Sequence, residues 1–342
     1  MPSRLSVKHI PVIRKRRPFL ARIVIIFSLP AIILIAAAIM SFSSANQLMR
    51  EPPRPLQTIS SNVMPPHQLA SFTSLNEQSM LSGWFFQSQG PAVSTIILVH
   101  DQGENRFPLG IDSPPLFEYL TEKGFNVLAF DLRNAGRSDG DLSGYGYAEW
   151  EDVLAAIRYV RRVASTRDVL LYGFGTGVTA TLAAYDQLPR SGQEDIDGFP
   201  RLIRELGFDQ GYIRGLLLDT PASSADDYIR PELQDEGFLG RYLLQHSVPY
   251  AIRLSTGGIQ RPNLVAIISR VQVPVFVASS ERDSRIPYEQ MQTFIDERQR
   301  LHPDTTVVFK TNASGTVRSY IEDQEGYEAA LSQYFARYFQ AR

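Results

Sequence analysis

Cysteine and histidine, which often serve as nucleophile and as proton carrier, are scarce in this chain of 342 residues. It has no cysteine, which excludes disulfides, thiolate metal ligands and a cysteine nucleophile. Acyl transfer through serine needs an oxygen nucleophile, an adjacent base and donors for the developing oxyanion. Histidine is the usual base, and the chain contains five histidines that could serve as one. These are His9, His67, His100, His246 and His302.

A glycine-rich turn at residues 173–177 is the clearest chemical signal. The stretch LLYGFGTGVTATLAAY at 170–185 leaves an apolar strand and enters a helix through this turn. In the pattern G-x-S-x-G, a serine at the centre of such a turn is held in a strained conformation with its hydroxyl exposed. The central residue here is Gly175, which has no side chain and tolerates positive φ at little cost. The sequence therefore predicts the turn without its nucleophile.

Further stretches accompany this turn in a fixed order, and they are FDLRNAGRSDG at 130–140, LLLDTPASSADD at 216–227 and VPVFVASSERDSRIP at 273–287. Together they resemble bacterial α/β hydrolases of the serine-aminopeptidase and cinnamoyl-esterase-like branch, over nearly all of residues 67–342. The resemblance implies an α/β-hydrolase fold with its acid at Asp283. It places the nucleophile position at Gly175 and the histidine position at Thr316, so both are substituted.

The loop expected to bind the oxyanion also departs from the family pattern. VHDQGENR at 99–106 resembles the family's V-H-G-x-G-x-N-R loop, but Asp101 stands where glycine is usual. A carboxylate beside an oxyanion site would repel the developing negative charge. Thr176 follows the central residue of the turn, where the backbone N–H is expected to face the oxyanion. Its hydroxyl is expected to point elsewhere, with no base in reach.

Two functions are compatible with these residues. The first is a catalytically degenerate hydrolase domain, a pseudoenzyme that acts as a ligand-binding or protein-interaction module. Loss of both Gly175 and Thr316 as catalytic side chains favours it, and Asp283 then serves to hydrogen-bond loop backbone. The second is an active hydrolase of a small ester or amide with a non-standard constellation, in which Asp283 or Asp101 activates water.

Other classes of chemistry receive little support. The glycines at 173, 175 and 177 do not fit the dinucleotide pattern G-x-G-x-x-G, because Val178 occupies the last position. No cluster of His, Asp or Glu indicates a metal site, so no cofactor or metal is expected. The net charge of −2 produces no global field toward nucleic acid.

The elements that must position these residues are short apolar strands alternating with amphipathic helices. Strands are predicted at 94–100, 126–131, 168–173, 213–219, 273–279 and 305–310, after a hairpin at 69–86. This alternation predicts a mostly parallel sheet with helices on both faces. Residues 223–264 break the alternation and predict a cap over the edge where the strands end, which is where ligand sites in such sheets lie.

The N-terminal part predicts a single membrane span. Residues 23–42 carry no charge, and at ~1.5 Å per residue they would cross a hydrocarbon core of roughly 30 Å. The basic segment 1–22 before them predicts a cytoplasmic N-terminus and an extracytoplasmic domain at the cell membrane. Residues 43–66 are rich in proline and serine and predict a linker that lifts the domain 67–342 off the membrane. A signal peptide cleaved after Ala45 is the alternative, although the apolar run is long for one.

Overall fold

The computed structural model describes residues 18–60, 62–258 and 262–339, so most of the predicted basic segment 1–22 lies outside the described residues. One sheet of eight strands forms the centre of the domain. Its strands are β1 (Gln68–Thr73), β2 (Met80–Phe86), β3 (Ser94–Val99), β4 (Phe125–Phe130), β5 (Val169–Phe174), β6 (Ile213–Asp219), β7 (Val275–Arg282) and β8 (Thr306–Ser314). Their order across the sheet is β1-β2-β4-β3-β5-β6-β7-β8. The hairpin of β1 and β2 is antiparallel, and the six strands from β3 to β8 are parallel to one another.

Helices cover both faces of this sheet, as the alternation of elements predicted. They are α1 (Pro18–Met49), α2 (Ser113–Glu122), α3 (Trp150–Val163), α4 (Thr176–Gln187), α5 (Arg201–Arg204), α6 (Asp226–Ile229), α7 (Gly237–Leu239), α8 (Gln245–Ser255), α9 (Leu264–Arg270), α10 (Tyr288–Leu301), α11 (Ser319–Glu322) and α12 (Gln324–Tyr338). Apolar side chains of α3, α4, α9 and α10 pack on one face. Those of α2 and α12 pack on the other. The central parallel strands β3, β4 and β5 are buried along their whole length, as expected for strands covered on both sides.

The segment predicted as a cap folds into short helices. Helices α6, α7 and α8 lie within it, joined by a 3-10 turn at Pro231–Glu236 and a π-helical turn at Gly240–Leu244. An antiparallel bridge between Ser224 and Asn263 brings the two ends of the segment together. A third apolar cluster, which includes Tyr228, Leu244 and Ile252, fills the space beneath these helices.

Helix α1 is longer than the predicted span 23–42, because it continues to Met49. It contains a stretch, Ile26–Met49, that is long and apolar enough to cross a membrane, a property that signal sequences share. Its last turns carry buried Ser41, Ala45 and Met49, at the i, i+4, i+8 spacing that forms one helical face.

This buried face packs against the cap, so the first residues of the predicted linker 43–66 are helical. The chain after the helix also contacts the domain: the Arg54 N–H donates to Gly103 O over 2.9 Å, and Leu56 packs against the second apolar cluster. The proline and serine content of residues 43–66 predicted an extended segment. Composition alone could not indicate that the backbone of this segment would bond to the domain.

Candidate active-site residues

The turn between β5 and α4 has the sharp geometry that the glycine pattern predicted. Gly175 precedes the first residue of α4 with φ 53° and ψ −121°, a conformation that favours glycine. Its N–H donates to Asp219 O at the end of β6 over 3.0 Å. Gly177 lets the helix approach β3, because an added Cβ there would lie only 2.7 Å from His100 O. The turn therefore holds residue 175 at the edge where the parallel strands end.

The Asp101 carboxylate lies in the space where a side chain at position 175 would project. A Cβ built on Gly175 would lie 2.5 and 2.7 Å from the two Asp101 carboxylate oxygens. Oδ1 of Asp101 accepts hydrogen bonds from the backbone N–H groups of Thr176 and Gln102, each over 2.8 Å. These N–H groups come from the residue after the turn and from the loop after β3, the two positions that form an oxyanion hole on such a scaffold.

An arginine that the sequence analysis did not single out binds the other oxygen of this carboxylate. Arg285 Nη1 donates to Asp101 Oδ2 over 2.8 Å, and Arg285 Nε lies 3.3 Å from both Tyr228 O and Glu232 Oε1. Burial alone would lower the pKa of Arg285, but the carboxylates of Asp101 and Glu232 raise it overall. Arg285 follows Asp283 by two residues, so the acid loop itself was the signal that could have indicated it.

Asp283 and Thr316, which the sequence assigned to separate loops of one site, are hydrogen-bonded to each other. The Thr316 hydroxyl donates to Asp283 Oδ1 over 2.9 Å, and the N–H groups of Arg285 and Ile286 donate to the same oxygen. Asp283 Oδ2 is buried and has no hydrogen-bond partner among the described residues. Burial raises the pKa of Asp283, against the opposing effect of these hydrogen bonds.

The described histidines do not enter this group. His100 Nε2 accepts the Leu132 N–H over 2.9 Å and its Nδ1 bonds Asp101 O over 2.7 Å, which makes Nδ1 the protonated nitrogen. Burial lowers the pKa of His100, so it holds the loop as a neutral ring. His246 is exposed on α8, and His302 bonds Ser269 O at the opposite edge of the sheet. His9 lies outside the described residues.

A buried carboxyl beneath the turn was also missed by the sequence analysis. Asp219 ends β6, fully buried, and its two oxygens accept the hydroxyls of Tyr327 over 2.8 Å and Thr220 over 3.1 Å. The Tyr327 hydroxyl also bonds that of Tyr172. Burial raises the pKa of Asp219 to about 7, although the two hydroxyls act in the opposite direction.

Little space remains beside the Asp101 carboxylate. The cavity that borders Asp101 and Thr176 measures ≈ 10 Å³, against the ~300–1,000 Å³ typical of pockets that bind small molecules. Tyr145, Tyr228 and Met49, all buried, belong to the apolar cluster under the cap. Both oxygens of the Asp101 carboxylate and the Thr316 hydroxyl thus bond other polar groups of this edge, whereas Asp283 Oδ2 does not.

The chain has relatives of known sequence, although no family model matches it. It is 35% identical over 118 residues to the protein YfhR of Escherichia coli O157:H7 and 27% identical over 228 residues to YfhR of strain K12. These matches cover 33% and 65% of this chain, and 39% and 66% of the relatives' own lengths. It is also 23% identical over 270 residues to the AB hydrolase superfamily protein YisY of Bacillus subtilis, covering 70% of this chain and 94% of that protein.

A solved structure has a similar architecture. The esterase Pf2001 of Pyrococcus furiosus superposes with a TM-score of 0.64 at 19% identity, over 85% of this chain and 100% of that one. The sheet order, the helices on both faces and this likeness define the chain as a protein of the α/β-hydrolase fold.

Proposed function

We propose that this chain is a membrane-anchored protein of the α/β-hydrolase fold that carries out no serine-hydrolase chemistry and acts as a ligand-binding or protein-interaction module. The observation that carries the proposal is the place of the Asp101 carboxylate. Through Oδ1 it accepts both N–H groups that would stabilise an oxyanion. A negative charge fixed there disfavours a second one on a substrate.

The residues around this carboxylate also support the absence of serine-hydrolase chemistry. A glycine at position 175 cannot attack a carbonyl carbon, and the Thr316 hydroxyl is engaged as a donor to Asp283. A Thr hydroxyl does not replace imidazole as a base near neutral pH. Thr176 is no substitute nucleophile either, because its hydroxyl accepts the Gln102 N–H over 2.7 Å and lies within the same hydrogen-bond group.

Membrane anchorage is supported by the way α1 ends. The Ser41 hydroxyl donates to Ser247 Oγ on α8 over 2.7 Å, and Ala45 is fully buried under the cap. Cleavage after Ala45 would remove both of these contacts from the folded domain. The proposal therefore keeps α1 as an uncleaved anchor in the cell membrane, with a cytoplasmic N-terminus and the domain outside, in line with the charge bias of the sequence.

A hydrolase with an unusual site is the second candidate. Asp283 Oδ2 has no described hydrogen-bond partner, and burial raises the pKa of this carboxyl, which would help it accept a proton from water. The relative YisY is named as a hydrolase-superfamily protein and the structural neighbour Pf2001 as an esterase. This candidate requires a substrate to enter a site that Asp101 and Arg285 now fill.

Labelling with a fluorophosphonate probe, together with a panel of small esters and amides, separates the two candidates. We expect the purified full chain to remain unlabelled and to show no turnover above that of heat-denatured protein. Turnover that disappears in Asp283→Ala but persists in the exposed control Asp139→Ala would establish the second candidate instead. Labelling by the probe would also contradict the proposal.

Restoring the catalytic side chains tests the assignment of positions. The change Gly175→Ser with Thr316→His introduces a hydroxyl and an imidazole, but the new Cβ would meet the Asp101 carboxylate. We therefore expect probe reactivity to require Asp101→Gly as a third change. A folded triple variant that stays as unreactive as the double variant would contradict the assignment of Thr316 to the histidine position.

A further inference from the structure

The cap exposes large apolar side chains instead of burying them. Phe238 and Tyr242 are 76% and 63% exposed, and their rings contact each other with centroids 4.7 Å apart. Leu243, Tyr250 and Leu254 are exposed as well. Single exposed apolar residues are ordinary on protein surfaces, but a group on one short segment indicates a contact surface.

This surface, which we call the cap face (Phe238, Tyr242, Leu243, Tyr250 and Leu254), borders helix α1. Leu243, Ser247, Tyr250 and Leu254 are spaced by four, three and four residues, so they share one helical face. Ser247 in this row bonds Ser41 of α1. The inward positions of α8, by contrast, include buried Val248 and Ile252. The cap face therefore begins where α1 meets the domain.

The length of α1 determines how far from the membrane surface this helix first contacts the cap. From Ile26 to Met40 the side chains of α1 are exposed or partly exposed, and burial begins at Ser41. Residues 23–40, the uncharged part of α1 before this point, measure about 27 Å as a helix, close to the roughly 30 Å of a hydrocarbon core. If that part crosses the bilayer, no chain is left over to separate the membrane surface from Ser41. The domain must then rest at the surface.

We infer that the cap face lies in the interfacial layer of the same bilayer that α1 spans, with Phe238 and Tyr242 among the lipid headgroups. Tyrosine favours this layer because its ring is apolar and its hydroxyl can meet water, and the adjacent Phe238 adds apolar area to Tyr242. The edge of the sheet that α6 to α8 cover then faces the membrane. This inference rests on the proposed anchorage by α1, and it replaces the predicted linker that lifts the domain away.

Single-cysteine variants of the full chain test this arrangement, since the natural chain contains no cysteine. Tyr242→Cys and Tyr250→Cys report on the cap face, and Ile33→Cys reports on α1. Val163→Cys is the matched control. Val163 is 47% exposed, against 46% for Tyr250, and it ends α3 just before β5 begins, so it lies at the opposite edge of the sheet. Each variant is nitroxide-labelled and reconstituted in vesicles of phosphatidylcholine and phosphatidylglycerol.

The measured quantity is the ratio of spin-label collisions with oxygen, which concentrates in lipid, to collisions with a water-soluble nickel chelate. We expect this ratio at 242 and 250 to exceed that at 163 severalfold, with the highest ratio at 33. A lipid-like ratio at 33 with water-like ratios at 242 and 250 overturns the cap contact and leaves the anchorage intact. A water-like ratio at 33 overturns both. Protection of 242 and 250 from both reagents indicates a covering protein or second copy, and also overturns the lipid contact.

Discussion

Two aspartate–arginine pairs lie at the ends of neighbouring strands, and they satisfy their carboxylates in the same way. Asp131, just after β4, binds Arg106 Nη2 over 2.6 Å and accepts the backbone N–H groups of Arg106 and Arg137, each over 2.7 Å. Asp101, just after β3, binds Arg285 and accepts two backbone N–H groups over 2.8 Å. One guanidinium and two N–H donors hold each carboxylate.

The difference between the pairs lies in what they connect. Asp131 and Arg106 are almost fully buried and join the loops after β3 and β4, so they serve the scaffold. Asp101 and Arg285 are partly accessible and join the oxyanion-type donors to the acid loop. The same arrangement of one guanidinium and two N–H donors therefore has different consequences. Around Asp131 it joins two loops of the scaffold, and around Asp101 it occupies N–H groups that a bound substrate could otherwise use.

The largest expected effect comes from breaking the scaffold pair. Asp131→Ala leaves the Arg106 guanidinium buried without its carboxylate, which should lower the free energy of unfolding by about 3–5 kcal/mol. Chemical denaturation of the full chain in detergent measures it. The control Asp141→Ala removes an exposed carboxylate near the same loop and should change stability by less than about 0.5 kcal/mol. Similar values for the two variants would show that the scaffold pair has no special role.

A pH effect is expected from Asp219, which ends β6 beneath the turn at Gly175. Its carboxyl binds a proton more tightly in the folded chain, with a pKa of about 7 against 3.8, so folding is favoured at low pH. This contribution is lost as pH rises from about 4 through about 7, by up to about 1.4 kcal/mol per pH unit. Asp219→Asn should gain stability relative to the natural chain over that range. Parallel stability curves from pH 4 to 8 would rule this out.

Gly175→Ser tests whether Asp101 fills the place of a side chain. It should destabilise the fold by about 2–3 kcal/mol, because serine is strained at this φ and its Cβ displaces the carboxylate from its donors. The control is Gly237→Ser, at φ 67° and ψ −146°, where an added Cβ meets no described atom within 4 Å. The control should show the strain alone. In an Asp101→Gly background, where the carboxylate is already absent, Gly175→Ser should cost only this strain. An unchanged cost in that background would show that the Asp101 carboxylate does not occupy the place of the side chain.

The smallest effect is expected at Thr316. Thr316→Val removes one of three donors to Asp283 Oδ1, which should cost about 1 kcal/mol and raise the pKa of this carboxyl further. Thr293→Val, on the exposed side of α10, is the control for the substitution itself. Carboxyl titration by NMR checks the pKa. An unchanged Asp283 titration would mean that the Thr316 hydroxyl does not contribute to holding this loop.

Much of the fold could be predicted because its signals are local. The strand IRGLLLD was placed at 213–219 and is β6 with those bounds. The strand predicted at 273–279 instead begins at Val275 and continues to Arg282, because pairing with β8 extends it beyond its apolar run. The site was predicted less completely. The Thr316 hydroxyl bonds Asp283, and the catalytic positions assigned to these residues remain predictions. Arg285 was overlooked: the acid loop that carries it could have drawn attention to it, but the sequence gives no sign that Asp101 is its partner.

By itself the sequence determined the order of strands and helices, the apolar N-terminal helix, and the absence of a hydroxyl at position 175. Each of these depends on residue type or on the spacing of neighbours along the chain. Only the tertiary structure decided that the Asp101 carboxylate turns into the space above Gly175 and that Arg285 reaches it. It alone packed the end of α1 against the cap. Those contacts join residues far apart in the chain, where the folded geometry, rather than local preference, selects the partner.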